Sequence, residues 1–153
     1  ILIPSLLSSL NITSRSFHSS VSYTCEVPLS EGLEDVMVAA AGSFGVKARG
    51  RVPDMTGVWA GERKLGAIGV QISGGVSTHG LAFNHDPDLS LFDHIVPCGL
   101  QGRAVTSLAL ELGGGIDGEG GGGGPGKAEV EARLIEAFTS HFRYDDVHLE
   151  RRE

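Results

Sequence analysis

The chain has 153 residues, 41% hydrophobic and 20% charged, with a formal net charge of −7. That is one domain's worth of chain with enough apolar content for a packed core, and the acidic surplus argues against a nucleic-acid binder, which normally carries excess Lys and Arg. Two cysteines, Cys25 and Cys98, are too few for a disulfide scaffold and suit a reducing compartment, while no apolar stretch approaches the roughly 20 residues needed to cross a bilayer.

Residues 1–22 are rich in serine, hold no acid and carry a single basic residue, Arg15. Serine-rich, acid-poor segments are typical of organellar presequences, and the step RSFHSS resembles their mitochondrial processing region. The same residues also read as an aberrant or ordinary buried segment, so no fold is built on them.

Residues 31–44 (EGLEDVMVAAAGSF) predict a helix, with Leu33, Val36, Met37, Ala40, Ala41 and Phe44 at the spacing that lines one face. Ser30 is the expected N-cap, Glu31, Glu34 and Asp35 complement the helix dipole, and Gly45 ends the helix. The loop VKARGRVPDM follows. Its Lys47, Arg49 and Arg51, with Arg63 and Lys64, form a basic cluster on an acidic chain.

A short strand is expected over 56–60, a tight turn at Gly61-Glu62-Arg63, and a longer strand over 64–73. Leu65, Ala67, Ile68 and Val70, interspersed with glycines, suit a strand buried on both faces where something approaches the backbone closely. Gly74-Gly75 signals a turn, and 76–84 (VSTHGLAFN) a second long strand. Asp86-Pro87-Asp88 breaks it, and Asp88 or Ser90 caps a short helical segment, LSLFDHI. Pro97-Cys98-Gly99 then sets a cysteine on a turn. Residues 105–112 read as a strand or a short helix, 113–126 as a Gly-rich linker or insertion, and 127–142 as an amphipathic helix with a charged tail to 153. Residues 121–127 match the spacing G-x4-G-K of a phosphate loop, but Ala128 stands where the magnesium-binding hydroxyl belongs. Nucleotide binding is not expected there.

Cys25 reads as a small core hydrophobe. Cys98 differs in context, because the flanking glycine admits a substrate and the proline fixes the backbone. A free thiol with a pKa near ~8.5 is only slightly ionised at neutral pH, so a nucleophilic role needs a cation or base close by. Lys64 is the candidate, since it begins an otherwise apolar strand. His79 is either a supporting proton shuttle or a structural histidine. His79, His85, His94 and Asp93 match no usual ligand spacing, so no metal is expected.

The ordered series TGVWAGERKLGAIGV, STHGLAFNHDPDLSLFDHIVPCGL and VTSL, within residues 31–112, resembles the lipoyl(octanoyl) transferases of the biotin/lipoate protein ligase superfamily. The resemblance implies an α/β fold, a mixed sheet with flanking amphipathic helices. It implies transfer of octanoyl from acyl carrier protein to a lysine of lipoyl domains, those of 2-oxoacid dehydrogenase E2 subunits and the glycine cleavage H protein, without a cofactor. The family's nucleophile falls on Cys98 and its pKa-lowering lysine on Lys64. Its acyl-binding backbone falls on Ala67, Ile68 and Gly69 and on Gly80, Leu81 and Ala82, with Gly66, Gly69 and Gly80 letting the aliphatic chain lie against the strands. The basic cluster becomes a docking patch for acidic partners.

The division expected is 1–22 atypical, 23–112 catalytic core, 113–126 Gly-rich and 127–153 helix and tail. The family's upstream R-G-G and H-G-P-G-Q segments are not found, so the fold is expected to be incomplete at its N-terminus. A non-catalytic chain that still binds carrier or lipoyl domains is the alternative. An ATP-dependent ligase ranks third, because those enzymes do not use a nucleophilic cysteine here. The family's pathway runs in mitochondria, plastids or bacterial cytoplasm, and RSFHSS favours mitochondria.

Overall fold

The computed structural model describes residues 26–73, 76–94, 104–113 and 124–143, with the backbone alone for 26–28, 72, 73, 76–79, 93 and 94. Helix α1 spans Glu26–Ser43, longer at its N-terminus than the pattern predicts. Ser30 therefore lies inside the helix instead of capping it. Pro28 permits the extension, because a proline in the first turn lacks only an N–H that would have no intrahelical acceptor. At the other end Val46 N–H donates to Ala41 O (3.1 Å) and Gly45 N–H to Gly42 O (2.9 Å). With Gly45 at φ +85°, this is a Schellman cap, and Val46 folds back into the core beside Ala41.

Three antiparallel strands form one sheet in the order β1-β2-β3: β1 Val58–Ala60, β2 Arg63–Ser73 and β3 Val76–Phe83. The parallel character expected of a mixed sheet is confined, among the described residues, to one bridge between Lys64 and Val105. Residues 105–112 do both things their sequence suggests. Val105 pairs with β2, and Leu108–Glu111 form a one-turn helix, α2, whose N-cap Ser107 Oγ accepts the Leu110 amide. A 3-10 helix spans Leu89–His94, and Asp88 is its cap, accepting from both Ser90 N–H and Ser90 Oγ–H.

Helix α3 spans Lys127–Phe142, as its periodicity predicts, and buries Val130, Leu134 and Phe138. It packs on α1, which packs in turn on the sheet. Helix α1 thus has neighbours on two sides, which is why Leu33, Val36, Met37, Ala40 and Ala41 are all buried. The two helices meet closely at Gly32, where a β-carbon would stand 2.8 Å from Phe142 Cζ. No described helix is long and apolar enough to cross a membrane.

Strand β2 is not buried on both faces along its length. Lys64, Leu65 and Gly66 are buried, but Gly69 and Gln71 are exposed, because β2 runs beyond the part covered by α1. Gly66 is also spoken for. A β-carbon there would lie 2.6 Å from Met37 Sδ of α1, so this glycine admits a core methionine, not a ligand.

Candidate active site

Lys64 is buried to 8% relative exposure near the start of β2. Burying an ammonium is costly without compensation. Its Nζ lies over the ring of Trp59, 5.5 Å from the centroid, the arrangement of a cation–π pair. Trp59 is its cross-strand partner in β1, and the register slips next to this pair: Val58 faces Gly66 while Trp59 faces Lys64, leaving Leu65 as the extra residue of a β-bulge. A bulge interrupts the strict alternation of side chains, and here Lys64 and Leu65 are both buried in succession. Among the described residues, the ammonium makes no ion pair with a carboxylate.

The lysine is also wedged from below. Gly57 has φ +120°, and a β-carbon on it would sit 2.9 Å from Lys64 Cε and 2.5 Å from Gly66 O. On the opposite edge, the Lys64 amide donates to Ala104 O and its carbonyl accepts Thr106 N–H, each at 2.9 Å. Thr106 is wholly buried and donates through Oγ1 to Glu111, which also pairs with Arg63 at 2.8 Å. Asn84 Nδ2 donates to Thr106 O at 3.0 Å. The segment leading away from Cys98 is thus pinned to the strand that carries Lys64.

Cys98 and Cys25 lie outside the described residues. So does the side chain of His79; its backbone stands opposite Val70 in β3. At the strand rise, that is about 20 Å along β2 from Lys64. The two tripeptides, by contrast, face each other residue for residue. Ala67 pairs with Ala82, Ile68 with Leu81 and Gly69 with Gly80. Ile68 and Leu81 pack against the core, so alternation turns Ala67, Gly69, Gly80 and Ala82 to the other face. A β-carbon on Gly69 would meet nothing within 4 Å. The result is a strip of small residues that, among the described residues, is open at Gly69 and half-buried at Ala67, Gly80 and Ala82.

The basic cluster does not form an open positive patch. Arg49 pairs with Glu62 at 2.6 Å, Arg51 with Asp35 and, at 3.7 Å, Glu31, and Arg63 with Glu111. With Lys64 buried, Lys47 is the one exposed cation of the five that has no carboxylate among the described residues. Folding brings the acids of α1, the β1–β2 turn and α2 to the arginines, and the sequence order alone hides this.

Sequence reasoning missed Glu34. Assigned to the helix dipole, it is instead buried in the third turn of α1, where Oε1 accepts the Gly57 amide at 2.7 Å and Oε2 the Arg51 amide. The available signal was its position: it stands a helical repeat before Met37 and Ala41, on the buried face.

Solved structures place this arrangement in a known fold. A lipoate-protein ligase A bound with ATP superposes with TM-score 0.60 at 16% identity, covering 82% of this chain and 49% of that one. Apo biotin protein ligase from Aquifex aeolicus superposes with TM-score 0.55 at 13% identity, over 80% and 48%. These likenesses define an α/β, biotin/lipoate protein ligase-like fold. The lipoyl protein ligase A/B catalytic domain then matches residues 23–139, and the chain belongs to that family. It is 44% identical over 117 residues to the mitochondrial octanoyltransferase LIP2 of Arabidopsis thaliana, covering 76% of this chain and 46% of that protein. An octanoyltransferase of Chloroflexus aurantiacus is 50% identical over 107 residues, 68% and 44% of the two chains. The mitochondrial octanoyl-[acyl-carrier-protein]:protein N-octanoyltransferase LIPT2 of Danio rerio is 41% identical over 120 residues, 78% and 46%. The chain spans slightly less than half the length of these relatives.

Proposed function

We propose that this chain carries the chemistry of octanoyl transfer from acyl carrier protein to a lysine of a lipoyl domain. The observation that carries this reading is Lys64: a buried ammonium without a carboxylate among the described residues, close to the paired tripeptides, in a chain 44% identical to an octanoyltransferase. Cys98 is the nucleophile. Its thiolate, stabilised by the Lys64 ammonium, attacks the thioester carbonyl of the octanoyl carrier. The carrier's thiolate leaves and takes up a proton, and a Cys98 octanoyl thioester remains. The neutral amine of the acceptor lysine then attacks this thioester, loses a proton as the amide forms, and expels Cys98 as thiolate.

The strip of Ala67, Gly69, Gly80 and Ala82 is where the octanoyl chain lies. Its small residues let methylenes approach the sheet closely, each worth about 0.8 kcal/mol when buried. The acceptors are lipoyl domains of 2-oxoacid dehydrogenases and of the glycine cleavage system, and the site of action is the mitochondrion. The mitochondrial plant and fish relatives support that location, and an octanoyltransferase of Chloroflexus aurantiacus is similar too.

The test is intact mass after incubation with octanoyl-acyl carrier protein. Wild type is expected to gain one octanoyl group, and Cys98→Ser none. No adduct on folded wild-type protein would sink the transferase reading and favour a chain that only binds carrier or lipoyl domains.

A further inference from the structure

Glu34 is the only buried acidic residue among the described residues. No cation among the described residues pairs with it, and Arg51 turns its guanidinium outward to Asp35 and Glu31. A buried carboxylate is costly unless its lone pairs are filled, and here two backbone amides fill them, Arg51 on one oxygen and Gly57 on the other. These amides stand at the two ends of one loop. Between them the chain turns back on itself, with Met55 N–H donating to Val52 O at 3.0 Å and with Arg51 and Asp54 both in the left-handed region, at φ 54° and 60°. The base of this loop is held by Arg49 and Trp59, which exchange two backbone hydrogen bonds at 2.8 and 2.9 Å, and Glu34 ties the next residues in, Arg51 and Gly57, to α1.

That loop builds both walls of the lysine seat. Gly57 is the wall against Lys64 Cε. Met55 O accepts the buried indole N–H of Trp59 at 3.1 Å, which aims the ring that faces Lys64 Nζ. Ordinary core packing at position 34 would be served by a leucine. Two acceptors fixed in direction serve something else.

We propose that Glu34 is a positioning residue for Lys64, acting through the loop whose Gly57 backbone and Met55 carbonyl set the two walls around the ammonium. The inference rests on the reading of Lys64 as the cation that stabilises the Cys98 thiolate. Glutamine at position 34 keeps the shape but presents an NH2 to one of the two amides. The loop then opens at that end, the walls separate, and Lys64 leaves its fixed place.

The test uses the full chain and two readouts. NMR follows the ε-methylene protons of Lys64, assigned by their loss in Lys64→Arg, which the indole ring current shifts upfield. The pH profile of octanoyl-adduct formation follows the ionisation of the attacking thiol. In Glu34→Gln the upfield shift is expected to collapse, and the profile to move alkaline by about one unit, an about tenfold slower acylation at neutral pH. Glu34→Asp, which keeps two acceptor oxygens, recovers part of both. Val130→Ala, a core truncation on α3, is expected to change neither and so controls for general loosening. An unchanged shift and profile in Glu34→Gln overturns the proposal, as does an equal change in Val130→Ala. If wild type forms no adduct, the transferase reading falls, and the ring-current arm alone decides whether Glu34 holds the lysine.

Discussion

Gly57 and Lys64 are in such close contact that a β-carbon on the glycine would lie 2.9 Å from Lys64 Cε. The contact binds a backbone requirement to a chemical one. At φ +120° the position already excludes ordinary side chains, and the lysine occupies the space where one would go. Gly57→Ala is therefore expected to destabilise by more than about 1 kcal/mol, read as a lower urea midpoint at unchanged slope. It is also expected to slow adduct formation beyond what the unfolded fraction accounts for. Loss of stability alone, with full acylation of the folded fraction, would mean that Lys64 does not depend on this wall.

Gly66 and Met37 form a second dependent pair, with Met37 Sδ 2.6 Å from where a β-carbon on Gly66 would stand. Gly66→Ala is expected to cost about 1–3 kcal/mol through overpacking, and Met37→Ala about 2–5 kcal/mol through the cavity it leaves. In the double variant the new methyl enters the space the methionine vacates. The two costs should then sum to more than the double variant loses, by at least about 0.5 kcal/mol. Additive losses would place the methionine elsewhere.

Gly69 offers the opposite case, an open position on the small-residue strip. Gly69→Leu is expected to leave stability within about 0.5 kcal/mol of wild type. The leucine fills the space assigned to the acyl chain, so acylation by octanoyl carrier should weaken while shorter acyl carriers are affected less. Equal effects on all chain lengths would remove the strip from the acyl site.

Asp88 gives a pH dependence. Ser90 donates to its carboxylate from both hydroxyl and amide, and these bonds hold its pKa below the ordinary aspartate value of 3.8. A carboxyl whose folded pKa is depressed favours the folded state above its unfolded value. That contribution is lost as pH falls through the lower folded value. Ser90→Ala removes the larger cause, so the Asp88 titration, followed by carboxyl carbon NMR, should move up toward 3.8. No movement would mean that the hydroxyl bond is not made in solution.

The hairpin of β2 and β3 was legible from two apolar runs separated by Gly74-Gly75, and the full extent of α3 from its helical period after a Gly-rich stretch. Helix α1 was legible in its core and misread at its start, since Ser30 ahead of an acidic first turn reads as an N-cap and hides the helical turn before it. Lys64 stood out as a lysine at the start of an apolar strand and the two tripeptides through the family resemblance, and the structure adds that the tripeptides are in register. The arginine pairings were not legible, because their partners come from three other parts of the chain. Glu34 was hidden for a different reason. An acid early in a helix fits the dipole rule, and only the loop that folds over it shows that its work is with backbone amides.

The end of β3 and the start of α3 are sewn together. His85 bonds through Nε2 to Pro125 O at 2.7 Å, its carbonyl accepts the Ala109 amide, and a β-carbon on Gly124 would rest 3.8 Å from Ala109. Gly113 and Gly124, the described residues on either side of the glycine run, therefore both lie against α2. A chain that departs and arrives at one place can be lengthened or shortened cheaply, since doubling such a loop costs only about 0.6 kcal/mol. The seating of α3 on α1 is thereby uncoupled from the length of the run, and this stretch becomes a natural place to carry a tag or an inserted domain.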